Sequence, residues 1–269
     1  MDSGESGFLI EHKSTTLIDL ISEKERLIEV ANAVTGCGID PKQTEVRHIR
    51  GTLYNPKIYD ACFILKWYMA FFLQHQSRWD PNTAIKMLDN FRRGLNTVVL
   101  EREQDPESFT QFQLPAIIPL VFYNGRRRLT ADQRRIKYSE GYAQVPDGIS
   151  TNNTFRLVGG PPKQLDFEVI VIDLLDPSSE KLLEKSPTLR GYAELTRTIY
   201  EKMEEYGDDV ELAVHNAFDD CISNGNPLSE FLAANRSEWE SLAFEEFTTD
   251  LIIEAIQESL EACETIAEA

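Results

Sequence analysis

Residues 8–13 pass from an apolar run, Phe8-Leu9-Ile10, to the polar Glu11-His12-Lys13, which fits a short, mostly buried strand. From Thr16 to Val34, Leu17, Leu20, Ile21, Leu27, Ile28 and Ala31 recur at helical spacing, and Gly36 and Gly38 close that helix. "GIDPKQTEVRHIRGT" then reads as a polar connector. The apolar run in "YNPKIYDACFILKWYMAFFLQHQ" predicts a deeply buried helix, with Asn55 as N-cap and Pro56 in the first turn. A further helix is expected from about Pro81 to Val99, ahead of the charged link "EREQDPES". Residues 114–125 read as a buried strand ending in an Asn-Gly turn, and "FEVIVIDL", residues 167–174, as a second strand rich in β-branched residues. Beyond Asp176 the pattern is helical, over roughly 188–206, 208–222, 227–241 and 245–266.

Strands mixed with helices, followed by helices alone, predict a small α/β core with a helical C-terminal part. Cys37, Cys62, Cys221 and Cys263 form no C-x-x-C pair, so the expectation is reduced thiols in a cytoplasmic protein rather than a zinc site or disulfide framework. The N-terminus "MDSGESG" has no signal-peptide character, and the longest apolar stretch, which contains Lys66, is too short for a membrane span.

The net charge of −18 argues against a nucleic-acid partner until its distribution is considered. Residues 201–269 hold 2 basic and 19 acidic residues, whereas residues 46–140 hold 15 basic and 9 acidic. The acidity belongs to the tail, and the middle of the chain can face a polyanion. Within that middle, "NGRRRLTADQRRIK" gathers Arg126, Arg127, Arg128, Arg134, Arg135 and Lys137, which reads either as a grip on a DNA backbone or as a solvated loop. The tail "EFTTDLIIEAIQESLEACETIAEA" reads as an acidic amphipathic helix, first as a solvated extension, and otherwise as a surface for docking on its own domain, for self-association, for a protein partner or for covering the basic surface by mimicking DNA charge.

On a strand, Glu11 and Lys13 project from the same face. A carboxylate can hold Mg²⁺, and a neighbouring ammonium can orient the attacking water and offset phosphate charge, which makes half of a site for phosphodiester hydrolysis. Two charges at the end of a strand can equally do no more than meet solvent.

The words "FLIEHKST", "KWYMAFFLQHQ", "LPAIIPLVFYNG" and "FEVIVIDLL", in that order, resemble the Rpn family, the YhgA-like transposases or recombination-promoting nucleases of the PD-(D/E)xK superfamily. The resemblance covers residues 8–13 and 54–175. It implies a restriction-endonuclease-like core, a small mixed sheet flanked by helices, over residues 1–176, with an inserted segment at about 14–53 and a helical acidic region over 177–269. It also implies a DNA endonuclease using Mg²⁺ or Mn²⁺, in which Glu11 binds the metal, Lys13 fills the last motif position and His12 adds its backbone carbonyl. The family pattern carries an Asp on the strand before the E-x-K strand, a dozen or more residues upstream, and only ten residues precede Glu11 here. That departure leads to the expectation of a start assigned too late or a truncated gene. It also opens the alternative of a catalytically inactive relative that binds DNA or protein.

Overall fold

The computed structural model describes residues 15–44, 46–49, 60–65, 69–101, 114–138, 167–207 and 209–268. The strand expected over 8–13 lies outside them. The order of elements is helices α1 (Thr15–Leu20) and α2 (Lys24–Thr35), strands β1 (Val46–Ile49), β2 (Asp60–Leu65) and β3 (Met69–Gln76), helix α3 (Thr83–Glu101), then β4 (Ala116–Tyr123), β5 (Arg135–Lys137) and β6 (Glu168–Asp173). Helices alone follow: α4 (Glu180–Leu183), α5 (Pro187–Tyr206), α6 (Val210–Ser223), α7 (Ser229–Ala234) and α8 (Arg236–Glu268).

The strands form one mixed sheet in the order β1-β2-β3-β4-β6-β5. The β1–β2 and β2–β3 pairs are antiparallel, β3–β4 and β4–β6 are parallel, and β5 closes the edge antiparallel to β6. The fold class expected from the sequence, a mixed sheet flanked by helices with helices beyond it, is therefore present.

The long helix expected across residues 54–76 is absent from the described part of that segment, where residues 60–65 and 69–76 are two antiparallel strands. The physical reason is two-sided burial. Phe71 and Leu73 face one core, Ala70 and Phe72 the other. A strand covered on both faces loses its period-2 signature and reads as a continuous apolar run. Asn55 and Pro56 lie outside the described residues. The helix expected from Thr16 to Val34 is broken into α1 and α2 at Ile21–Glu23, and Gly36 ends α2 with φ 70 in the left-handed region. The polar connector contains the edge strand β1.

Two hydrophobic clusters sandwich the sheet. On one face α3 lays Ala84, Met87 and Phe91 over Phe72, Val121 and Val171. On the other, a larger cluster joins Leu17, Leu20 and Leu27 near the front of the chain to Phe71, Leu120 and Phe122 of the sheet and to Tyr192, Phe218, Trp239 and Phe247 of the later helices. Two of those helices carry explicit start signals. Ser186 caps α5 by accepting from Leu189 N, ahead of Pro187, and Asp209 caps α6 by accepting from Leu212 N. The sequence pattern expected separate helices over 227–241 and 245–266. The chain instead forms the short α7 and then one 33-residue helix, α8, whose first half is held in the core by Trp239, Ala243 and Phe247. No helix among the described residues is long and apolar enough to cross a membrane.

Candidate functional site

The three mutually parallel strands β3, β4 and β6 end on the same side of the sheet. Their register sets Gln76 beside Tyr123 and Tyr123 beside Asp173, a single row across the strand ends. The carboxyl ends of parallel strands are where open α/β sheets bind their ligands. Alternation along each strand puts this row on the α3 face, with Gln74 one step behind Gln76.

Each member of the row is anchored. Gln76 donates from Nε2 to the Thr83 hydroxyl at the start of α3 (3.0 Å). The Tyr123 hydroxyl donates to the carbonyl of Arg127 (2.6 Å), and burial, with the nearby charges of Asp173 and Glu254, pushes its pKa up to about 12. The Asp173 side chain is 3% exposed and accepts from Leu175 N (3.1 Å) and Leu129 N (3.5 Å). Burial raises its pKa, against the lowering effect of those two backbone donors.

The Asn124-Gly125 turn leaves β4 through a space that admits no side chain. A Cβ on Gly125 would lie 1.9 Å from the Ser77 carbonyl oxygen and 2.4 Å from the Tyr123 hydroxyl. The tight passage delivers Arg126, Arg127 and Arg128 to the strand ends. There Arg126, Arg128, Gly125, Asp173 and Leu175 line a cleft of about 340 Å³ with Arg197, Tyr200, Glu201 and Glu204 from α5. The Arg126 guanidinium lies over the Tyr200 ring, 5.4 Å from its centroid.

The opposite face of the same strand ends carries a closed polar network. The Asn124 amide donates to the Tyr192 hydroxyl (2.9 Å) and to Glu246 Oε1 (3.4 Å). Tyr192 OH also reaches His75 Nε2 (3.2 Å) and Glu246 Oε1 (3.4 Å), and Thr16 donates to Glu246 Oε2. Burial, reinforced by the Glu246 charge, holds the Tyr192 hydroxyl well above its ordinary pKa. With Glu246 only 2% exposed, this cluster joins α1, the sheet, α5 and α8 and offers no path to a substrate.

Of the residues singled out in the sequence, Glu11, His12 and Lys13 lie outside the described residues. The six basic residues separate into two groups. Arg126, Arg127 and Arg128 sit at the turn beside the cleft. Arg134 is tied to Asp176 (2.7 Å), Ser178 (2.6 Å) and the Leu129 carbonyl (3.3 Å), and Arg135 pairs with Glu168 (2.7 Å), so both brace the loop onto β6. Lys137 is exposed on the edge strand β5. The cleft also contains residues that the sequence pattern did not single out. Asp173 ends the strand "FEVIVID", and an acid closing a parallel strand is the signal that could have marked it. Arg197 is one charge among several on a long helix and carries no such signal.

The β2–β3 hairpin holds one more relationship. Asp60, the first residue of β2, is the register partner of Gln74 on β3, and Gln74 and Gln76 share a face of that strand. Among the described residues no group of three or more His, Cys, Asp or Glu could hold a metal ion. Compared with known protein families, characterised proteins and solved structures, the chain matches none.

Proposed function

We propose that this chain is a DNA-binding protein with a PD-(D/E)xK-like core whose metal position is catalytically silent. The observation that carries the reading is the pairing of Asp60 with Gln74. The resemblance calls for an acid on one strand and an E-x-K triplet on the next, a dozen or more residues later. The resemblance sets that triplet at Glu11-His12-Lys13, and β2 and β3 repeat the spacing with Gln74-His75-Gln76 in its place. A Gln carbonyl is a neutral ligand and binds Mg²⁺ more weakly than a carboxylate does. Gln76 brings no positive charge to a phosphate, and its amide is engaged with Thr83. Gln74, 5% exposed, is closed to a duplex. The described residues therefore do not fit Mg²⁺. DNA would be held through the phosphates by Arg126, Arg127 and Arg128, on a loop that Asp173 and Arg134 keep rigid.

A second reading, a Mg²⁺- or Mn²⁺-dependent endonuclease of the recombination-promoting type, is favoured by the Glu11-His12-Lys13 motif. In it Glu11 and the His12 carbonyl would hold the metal and Lys13 would assist the water.

The test combines DNA binding at two salt concentrations with nicking of supercoiled plasmid by the full chain and by Glu11→Gln, Lys13→Met and Gln74→Glu. The expected result is salt-sensitive binding without nicking, and tighter Mg²⁺ binding in Gln74→Glu. Metal-dependent nicking that Glu11→Gln abolishes would establish the second reading instead. Absence of DNA binding at low salt would overturn the first.

A further inference from the structure

We propose that the cleft at the ends of β4 and β6 receives a phosphomonoester, the doubly charged terminal phosphate of a polynucleotide, held by Arg126, Arg128 and Arg197. This deepens the DNA-binding reading, and rests on it for the polymer that carries the phosphate.

Three guanidinium groups line the cleft from two separate elements. Arg126 and Arg128 come from the turn after β4, and Arg197 from the middle of α5. Among the described residues, neither Arg128 nor Arg197 makes an ion pair or a side-chain hydrogen bond, unlike Arg134 and Arg135 a few positions away. Planar guanidinium forks match phosphate oxygens in pairs, and a phosphomonoester carries about two negative charges at neutral pH. A polynucleotide's end provides that charge at one point, whereas an internal phosphodiester provides half of it.

The remaining lining distinguishes an end from a continuous strand. Glu201 and Glu204 follow Arg197 along α5 and line the same cleft. A backbone passing through would set its neighbouring phosphates against these carboxylates. A single terminal phosphate need meet only the arginines. The volume, about 340 Å³, is at the lower end of the range for small-ligand pockets, about 300–1,000 Å³, and is too small for a duplex.

The frame is preorganised. Asp173 accepts from Leu129 N on the arginine loop and from Leu175 N at the end of β6, and so joins both walls. Tyr123 OH fixes the Arg127 carbonyl, Arg134 holds the Leu129 carbonyl, and the Tyr200 ring lies under Arg126 while its hydroxyl donates to the Asn124 carbonyl (3.2 Å).

The experiment measures binding of the full chain to a 3′-fluorescein single-stranded 12-mer carrying either a 5′-phosphate or a 5′-hydroxyl. Inorganic phosphate and a nucleoside 5′-monophosphate serve as competitors. Arg128→Ala and Arg197→Ala are compared with Arg92→Ala, which removes an exposed positive charge elsewhere. Thermal melts confirm that all three variants are folded. The expected result is a preference of about tenfold for the 5′-phosphorylated strand, retained by Arg92→Ala and reduced to less than about twofold by either cleft substitution. Equal binding of the two strands by the unaltered chain overturns the proposal, as does a preference that survives both cleft substitutions. Failure of both strands to bind, with arginine-dependent binding of phosphate and the mononucleotide, would sink the DNA-binding reading and leave a site for a free nucleotide. No binding of any probe sinks both.

Discussion

Thr16, in the first described helix, donates its hydroxyl to the buried carboxylate of Glu246, 230 positions further along the chain. That bond ties the front of the protein to its longest helix across the end of the sheet. Asn124 and Tyr192 also donate to the same carboxylate. Replacing Glu246 by Ala leaves several buried polar groups without their acceptor and is expected to lower stability by about 3 kcal/mol. Thr16→Val should cost about 1 kcal/mol. In urea unfolding of both single variants and the double variant, the effects should fall well short of additive, because the two residues share one bond.

Gly125→Ala should be among the most damaging single-methyl changes in the chain. The added carbon would meet a backbone oxygen and the Tyr123 hydroxyl, and the backbone oxygen has no rotamer by which to yield. A loss of about 3 kcal/mol in chemical denaturation is expected, and Tyr123→Phe should not rescue it.

Two neighbouring aspartates should give opposite pH slopes. The folded pKa of Asp173 is raised, so the unfolded chain releases this proton first. Its contribution therefore favours folding below the ordinary carboxylate pKa and is lost as pH rises through the folded value. Asp176 is lowered to about 2 by the Ser178 hydroxyl, by Ser178 N and by Arg134, so its stabilisation is present above the ordinary value and lost as pH falls toward 2. Asp173→Asn should flatten the decline on the rising side, and Asp176→Asn the decline on the acid side. Unfolding free energies measured from pH 2.5 to 7 check both signs.

Site-resolved thiol labelling should separate the cysteines by burial. Cys37 is exposed and should react at once in the folded protein. Cys221 is buried, which pushes its pKa up to about 11, so it should label at the rate of unfolding. Fast labelling of Cys221 in native buffer would contradict the packing of α6.

Elements with one buried face, or with strong punctuation, were legible in the sequence. The helix starting near Pro81, the strand entering Asn124-Gly125, the strand ending at Asp173 and the helix starting at Pro187 all appear close to where the pattern places them. The β2–β3 hairpin was not legible, because Phe63, Ile64, Ala70, Phe71, Phe72 and Leu73 are apolar on both faces. Periodicity cannot separate such a run from a buried helix. This ambiguity hid more than an element boundary. With residues 54–76 read as one helix, Asp60 and Gln74 seem unrelated, and the acid-then-triplet pattern attaches to Glu11 and Lys13 alone. The register pairs Asp60 with Gln74, and the amides of Gln74 and Gln76 carry no comparable sequence signal. The cleft was half legible: the arginine cluster is plain in the sequence, but its partner Arg197 arrives from a helix 69 positions later than Arg128.

The cluster that begins at Leu17 is completed only by Trp239 and Phe247, and this imposes an order on synthesis. A growing chain has made α1, α2 and the six described strands by Asp173, yet it still lacks the later helices that complete the larger cluster on one face. At translation rates of about 5–20 residues per second, the interval before Phe247 is made is on the order of ten seconds. Throughout it the cluster that contains Phe71, Leu120 and Phe122 lacks Trp239 and Phe247. A ribosome stalled before α8 would hold the sheet with its larger apolar cluster incomplete, closed on the α1 and α2 side alone.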